Sequence, residues 1–254
     1  MLSIMRLAAA EIQISGILLF IVMSIFGLSA CAEDDFAGQR RQMLSDIQAT
    51  YRSTSDYTGK PALDEKVMQV MSRVPRHEFI PANMQTYAYA NRALPIGDGQ
   101  TISQPYIVAL MTELADVDKQ SVVLEVGTGS GYQAAVLAGL VRHVYTIEIV
   151  EKLGKRAEQT LKRLGYQNVT VRIGDGYHGW PKHAPFDAIL VTAAPEKVPA
   201  PLLEQLKPGG KLVIPVGSQS ASQSLQLIEK DLSGKVFVHD VLPVGFVPLT
   251  GEHQ

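Results

Sequence analysis

The chain has 254 residues, of which 46% are hydrophobic and 19% charged, with 21 glycines and 14 prolines; this composition excludes a disordered chain, a collagen and a coiled coil. Lys and Arg number 23 against 25 Asp and Glu, a formal charge of −2, without the basic footprint that duplex nucleic acid requires, so no nucleic-acid partner is expected. A single cysteine, Cys31, excludes an internal disulfide, and six scattered histidines with one cysteine offer no zinc cluster, so no metal site is expected.

The first segment stands apart from the rest. Ile12 to Ala32 carry no charge, with Arg6 before them and Glu33, Asp34 and Asp35 after. That apolar length suffices to cross a bilayer core, and residues 1–32 are read as a leader, signal or anchor. The run closes on Leu28-Ser29-Ala30-Cys31, which resembles a bacterial lipobox. Three readings stay open: a lipoprotein anchored at Cys31, an uncleaved anchor, and a shorter product starting at Met43. Membrane contact is expected only through residues 1–32.

Residues 33–60 are polar and predict a linker with a short helix around Phe36–Tyr51. Asp64 is placed to cap a helix with Val67, Val70, Met71 and Val74 at helical spacing, stopped at Pro75. Residues 75–103, with Pro81, Pro95, Gly97 and Gly99, predict ordered loop. Pro105 to Ala115 predicts a helix. A regular alternation follows: strands at 121–126, 143–148, 168–173, 186–191 and 211–216, with helices at 131–141, 151–164 and 201–206. Ser224–Glu229 and Val236–Val244 predict two last strands. Ser121 to Val126 shows almost no polar alternation, as a parallel strand covered on both faces does. Strand and helix in turn predict a doubly wound α/β fold with a mostly parallel sheet and helices on both faces.

The most informative stretch is Gly127-Thr128-Gly129-Ser130-Gly131-Tyr132. It follows a buried strand and opens a helix, where glycines let a ligand approach the main chain. A dinucleotide fingerprint needs glycine where Tyr132 stands. A ligand without phosphate therefore fits better than a pyrophosphate, which argues against a nicotinamide enzyme. Glu148 ends the next strand, where a carboxylate can accept from both hydroxyls of a ribose; favouring the dipole of the following helix is its other reading. Gly174-Asp175-Gly176 ends the third strand, where Asp175 can accept from an adenine amino group or simply make a turn. The three strand ends converge on one crevice. They suit a nucleoside without phosphates, of which S-adenosylmethionine is the common example.

From Val74 to Leu249 the chain resembles protein-L-isoaspartate (D-aspartate) O-methyltransferases. The resemblance is carried by Val-Pro-Arg-His-Glu-Phe at 74–79, Gln-Thr-Ile-Ser-Gln-Pro at 100–105, Leu-Glu-Val-Gly-Thr-Gly-Ser-Gly-Tyr at 124–132, Gly-Asp-Gly at 174–176, Pro-Gly-Gly at 208–210 and Phe-Val-Pro-Leu at 246–249. The glycine loop is common to many methyltransferases; the second and last motifs are more specific. The resemblance implies a Rossmann-like, seven-stranded methyltransferase sheet whose last strands have an altered order, and a catalytic domain over 61–254. It implies protein repair: methyl transfer from S-adenosyl-L-methionine to the free α-carboxylate of L-isoaspartyl, and also D-aspartyl, residues in proteins and peptides. It implies Ser103 as the active-site residue, a cofactor site of Ile102, Glu125, Gly127, Thr128, Gly129, Ser130, Gly131, Glu148, Gly174, Asp175 and Gly176, and a substrate site of Thr101, Ser103, Val247 and Pro248. A monomer working in the cytoplasm is expected, with an envelope lipoprotein as the alternative.

From the residues alone, Ser103 is equally an ordinary N-cap of the helix at Pro105. Val247 and Pro248 are equally sheet core. Tyr132 either covers the methionine part of the cofactor or packs as an aromatic. Another S-adenosylmethionine-dependent methyltransferase, and an anchored binding protein that keeps the fold without activity, remain as alternatives.

Overall fold

The computed structural model describes residues 36–59 and 62–251 and separates residues 1–42 from residues 43–254 as two units. The apolar leader and Cys31 lie outside the described residues. No helix among the described residues is long and apolar enough to cross a membrane. In the first unit, residues 36–42 are helical.

The second unit opens with helix α1 (43–53) and the single turn α2 (Ser55–Thr58). Met43, Ile47 and Tyr51 recur every fourth residue on α1 and are buried. The helix expected around Phe36–Tyr51 is thus present and runs to residue 53, and the stretch expected as linker after it holds the turn α2. Thr54 shares a 2.6 Å hydrogen bond with the Tyr106 hydroxyl. Helix α3 (Glu65–Arg73) starts as expected, with the Asp64 carboxylate accepting from Lys66 N, and stops before Pro75.

Two short 3-10 turns, Arg76–Phe79 and Ala82–Tyr87, lead to a hairpin where the prolines and glycines predict loop. Strands β1 (Leu94–Gly97) and β2 (Gln100–Ile102) pair antiparallel, and their turn runs through Asp98 and Gly99, both at positive φ. Asp-Gly favours tight hairpin turns because both residues tolerate that region. Helix α4 (Pro105–Ala115) follows.

The sheet comes next: β3 (Val122–Val126), α5 (Tyr132–Ala138), β4 (His143–Glu148), α6 (Glu151–Arg163), β5 (Val169–Ile173), β6 (Phe186–Val191), α7 (Ala200–Gln205), β7 (Leu206–Val216), β8 (Gln223–Lys230) and β9 (Val236–Val244). The spatial order is β5-β4-β3-β6-β7-β8-β9. Neighbours from β5 through to β7 are parallel, and β8 joins antiparallel to both β7 and β9. This is the mostly parallel, seven-stranded sheet expected. The chain steps outward from β3 to β5 and returns to β6 on the other side of β3. Right-handed crossovers then put α5 and α6 on one face and α7 on the other. A crevice opens where the order reverses, at the carboxyl ends of β3 and β6.

Side-chain alternation decides what each face holds. Leu124, Val126 and Ile147 point into an apolar cluster with Phe186, Leu202 and Leu206. Each fully buried aliphatic side chain contributes about 1.5–3 kcal/mol, so this cluster fixes the register of the strand ends. Their sequence neighbours Glu125 and Thr146, paired across β3 and β4, point to the opposite face.

Candidate active site

The floor of the crevice is the turn after β3. Gly127 has φ +97, and a Cβ there would collide with the Thr192 hydroxyl. Thr192, just past β6, donates that hydroxyl to the Gly127 carbonyl at 2.6 Å, and its N–H bonds the Val126 carbonyl at 2.9 Å. Only glycine permits both the backbone conformation and this approach.

Five of the turn's main-chain donors are already occupied. Gly127 N and Thr128 N donate to the Ile147 carbonyl at 2.8 and 3.1 Å. Gly129 N donates to Glu148 Oε2 at 2.7 Å, Gly131 N to the Thr128 carbonyl at 2.8 Å, and Tyr132 N to Ser130 Oγ at 3.2 Å. A pyrophosphate cradle needs such groups unpaired. The structure therefore supports the reading of a ligand without phosphate, and on stronger grounds than glycine spacing.

Above this floor lies a cavity lined by Glu125, the 127–130 turn, Tyr132, Gln133, Glu148, Gly176 and Thr192, with residues 100–103 and 247–250 around its mouth. Its charged lining residues are Glu125 and Glu148. Glu125 is fully buried. Its Oε2 accepts from Thr146 Oγ1 at 2.6 Å, and Thr146 accepts in turn from Thr128 Oγ1 at 2.7 Å. Its Oε1 has no partner among the described residues, nor has the Oε1 of Gln133, whose Nε2 donates to Thr112. Burial pushes the Glu125 carboxyl up to about 8, the Thr146 hydrogen bond opposes this, and the nearby Glu148 carboxylate adds to it. The site thus holds two unmatched acceptors and excess negative potential, a match for a cationic ligand rich in donors.

Glu148 is buried at the end of β4, and its second oxygen accepts from Val150 N at 2.9 Å. Each carboxylate oxygen keeps a further lone pair. Asp175 sits differently. Its carboxylate accepts from Tyr177 N at 2.9 Å, capping the short turn Gly176–His178, and Gly251 lies against it. Of the residues at the third strand end, Gly176 lines the cavity; Gly174 and Asp175 do not, and Gly131 stands behind the floor against Leu161.

The other half of the site is assembled outside the sheet. The β1–β2 hairpin delivers Thr101, Ile102 and Ser103 to the cavity wall. Ser103 does not cap α4: the N-cap position is Gln104, and Asn91 Oδ1 accepts from Tyr106 N at 3.0 Å in that role. The Ser103 hydroxyl has no hydrogen-bond partner among the described residues, which settles the choice between cap and open wall at this position. Val247 and Pro248 belong to no strand. Ala194 N donates to the Val247 carbonyl at 2.8 Å and Leu249 N to the Ala194 carbonyl at 2.9 Å, which lays 247–249 along the end of β6. The side-chain amide of buried Gln223 clasps both main-chain groups of Phe246, at 2.6 and 3.1 Å. A groove lined by Arg92, Gln104, Ile107 and Phe246 runs alongside, and Thr101, Ser103, Thr192 and Val247 line both groove and cavity.

Thr146, Gln133 and Thr192 were not anticipated. Thr146 is legible in retrospect, because Val144, Thr146 and Glu148 alternate on one face of β4 and the parallel register sets Thr146 opposite Glu125.

A family model for protein-L-isoaspartate(D-aspartate) O-methyltransferase matches residues 58–254. A protein-L-isoaspartate O-methyltransferase 2 of Syntrophobacter fumaroxidans is 57% identical over 237 residues, 93% of this chain and 96% of that one. Another, from a Polaromonas species, is 63% identical over 210 residues, 83% of this chain and all of its own. A solved protein-L-isoaspartate O-methyltransferase superposes with a TM-score of 0.73 at 29% identity, covering 84% of this chain and 66% of that one. A Plasmodium falciparum structure of the same description, in complex with S-adenosyl-L-homocysteine, shares the fold with a TM-score of 0.68 at 24% identity over 83% of this chain and 98% of its own. The matched region includes the sheet, the hairpin and the terminal segment, and the chain belongs to the protein-L-isoaspartate (D-aspartate) O-methyltransferase family.

Proposed function

We propose that this chain repairs proteins by methylating the free α-carboxylate of L-isoaspartyl and D-aspartyl residues, and that Ser103 orients that carboxylate. The enzyme class and the substrate class follow from family membership. The residue roles rest on the geometry. S-adenosylmethionine supplies an electrophilic methyl group on a cationic sulfur when bound. The open acceptors of Glu125 and Gln133 suit its ammonium end, and the Glu148 carboxylate suits the ribose diol. Ile102 and the turn from Gly127 to Ser130 wall the same cavity. Gly176 borders the adenine end, with Gly174 and Asp175 shaping that turn and Gly131 backing the floor.

The chemistry asks little of the side chains. A carboxyl group of pKa near 3.5–4 is ionised at neutral pH, so no general base is required. What the protein supplies is alignment of oxygen, carbon and sulfur, for which positioning contributes about 7–11 kcal/mol. Attack by an anionic oxygen on a cationic sulfonium neutralises charge, so a wall that excludes water favours the transition state. Thr101, Val247 and Pro248 hold the peptide around the reacting carboxylate.

One observation carries this reading: the unpartnered Ser103 hydroxyl stands where the cofactor cavity and the adjoining groove meet. The test is an isoaspartyl peptide with labelled S-adenosylmethionine, which is expected to yield a base-labile methyl ester. Ser103→Ala is expected to lower kcat roughly 10–100-fold, the scale of one hydrogen bond to a charged group. Turnover at the wild-type rate in that variant refutes the role of Ser103. The same assay on cell fractions and by size-exclusion chromatography tests the proposed cytoplasmic monomer; activity retained in the envelope fraction supports the Cys31-anchored lipoprotein instead.

A further inference from the structure

Arg76 is the only buried arginine among the described residues, with its side chain wholly removed from solvent. No carboxylate among the described residues pairs with it. Its Nε donates to the Ala88 carbonyl at 2.8 Å and its Nη2 to the Ser103 carbonyl at 2.8 Å, while Nη1 has no partner among the described residues. The guanidinium carbon lies 4.7 Å from the centroid of the Tyr132 ring, which lines the cavity directly after the glycine turn. Burial lowers its pKa to about 10, which leaves it charged at neutral pH.

An unpaired cation in the interior is expensive, and an aliphatic side chain of similar volume fills such a space at lower cost. Packing therefore does not explain this residue. Its two carbonyl partners do point to a use. Ala88 precedes the β1–β2 hairpin and Ser103 follows it, so one side chain ties down both ends of the segment that presents Thr101, Ile102 and Ser103. The charge has a use as well. The cavity wall carries two carboxylates and no lysine or arginine, yet the reaction needs an anionic carboxylate beside Ser103. Arg76 supplies positive potential behind that position without standing in the cavity.

We propose that Arg76 is a positioning residue for methyl transfer: it fixes the Ser103 main chain from behind and offsets the charge of the substrate carboxylate. The proposal rests on the role given to Ser103 above. The test uses the full-length chain with Arg76→Lys, Arg76→Met, Ser103→Ala and the double variant S103A/R76M. Arg76→Met is expected to lower kcat roughly 10–100-fold, the scale of one charge-assisted hydrogen bond, with S-adenosylmethionine affinity within about twofold of wild type. Arg76→Lys is expected to recover part of the loss, because it restores charge without the fork. The double variant is expected to lose less than the product of the two single losses, since part of the Arg76 effect passes through Ser103.

Multiplied losses in the double variant, kcat unchanged in R76M, or kcat falling only in step with cofactor affinity each overturn the proposal. An unchanged rate in S103A overturns the role of Ser103 instead, and absence of any ester with wild type overturns the activity. Should neither variant at position 76 fold, the arginine Nε–H resonances of the 15N-labelled wild type decide. The slowest-exchanging one is expected to shift when isoaspartyl peptide is added to the cofactor-loaded protein; a resonance that stays in place overturns the proposal.

Discussion

The two halves of the active site are built by different means. The half proposed to hold the cofactor hangs on the ends of β3, β4 and β6, strands locked by parallel register and by the Leu124–Val126–Phe186 cluster. The half proposed to hold the peptide hangs on a two-stranded hairpin and on a terminal segment outside any strand, held by single side chains: Arg76, Asn91 and Gln223. The first gains its precision from many small contributions. The second depends on a few long-range hydrogen bonds, any one of which is an exposed point of failure. Substitutions in the first half should therefore act through cofactor binding and stability together, and those in the second through turnover or peptide affinity alone.

Gly127→Ala tests the first half most severely. The new Cβ meets the Thr192 hydroxyl at a φ that L-residues avoid. The expected result is a loss of stability of about 2 kcal/mol or more and a loss of S-adenosylmethionine affinity of over about 100-fold. Thermal denaturation and calorimetry measure both, and a variant that binds like wild type breaks the comparison.

Glu125→Gln is a smaller change with a pH signature. Below about 8 the Glu125 carboxyl is mainly protonated in the ligand-free chain. A cationic ligand favours the ionised form, so binding releases a proton. Affinity for S-adenosylmethionine should then rise with pH by up to about tenfold per unit and level off above the pKa. Glutamine cannot ionise, so its profile should be flat, with the largest deficit on the alkaline side. A parallel slope in both proteins, by calorimetry in buffers of differing ionisation enthalpy, removes Glu125 from the cofactor site.

The smallest effect belongs to the groove. Arg92 is its charged lining residue, exposed and 5.1 Å from the centroid of the Tyr87 ring. Arg92→Ala should raise KM for isoaspartyl peptides with acidic flanks about threefold, leave kcat unchanged, and lose its effect at high salt, as exposed charges do. An equal change for basic peptides means that Arg92 plays no part in peptide choice.

The same division governs what the sequence reveals. β4 and β6 fall on their expected residues because strands covered on both faces are near-continuous apolar runs between breakers, and β9 does so as a largely exposed edge strand. The glycine turn and Glu148 follow from position at strand ends, and Glu125 from the resemblance. The hairpin was hidden because Pro95, Gly97 and Gly99 look like loop, although Asp98-Gly99 is the turn that a hairpin wants. Helix α1 falls within the helix expected around Phe36–Tyr51; what the polar composition conceals is that Met43, Ile47 and Tyr51 bury one face of it. Arg76 stands in the Val-Pro-Arg-His-Glu-Phe motif without a local sign of burial. Nothing local distinguishes a buried arginine from a solvated one when its partners lie at positions 88 and 103.

The self-sufficiency of the glycine turn has a wider consequence. Nucleoside triphosphates and dinucleotides share the adenosine moiety and crowd any cell that makes S-adenosylmethionine. A floor most of whose amides are spoken for, walled by two acids and no base, gives their phosphates little to hold and the Glu148 carboxylate to avoid. Rejection of these abundant competitors is thus built in by what the turn withholds, and needs no gate.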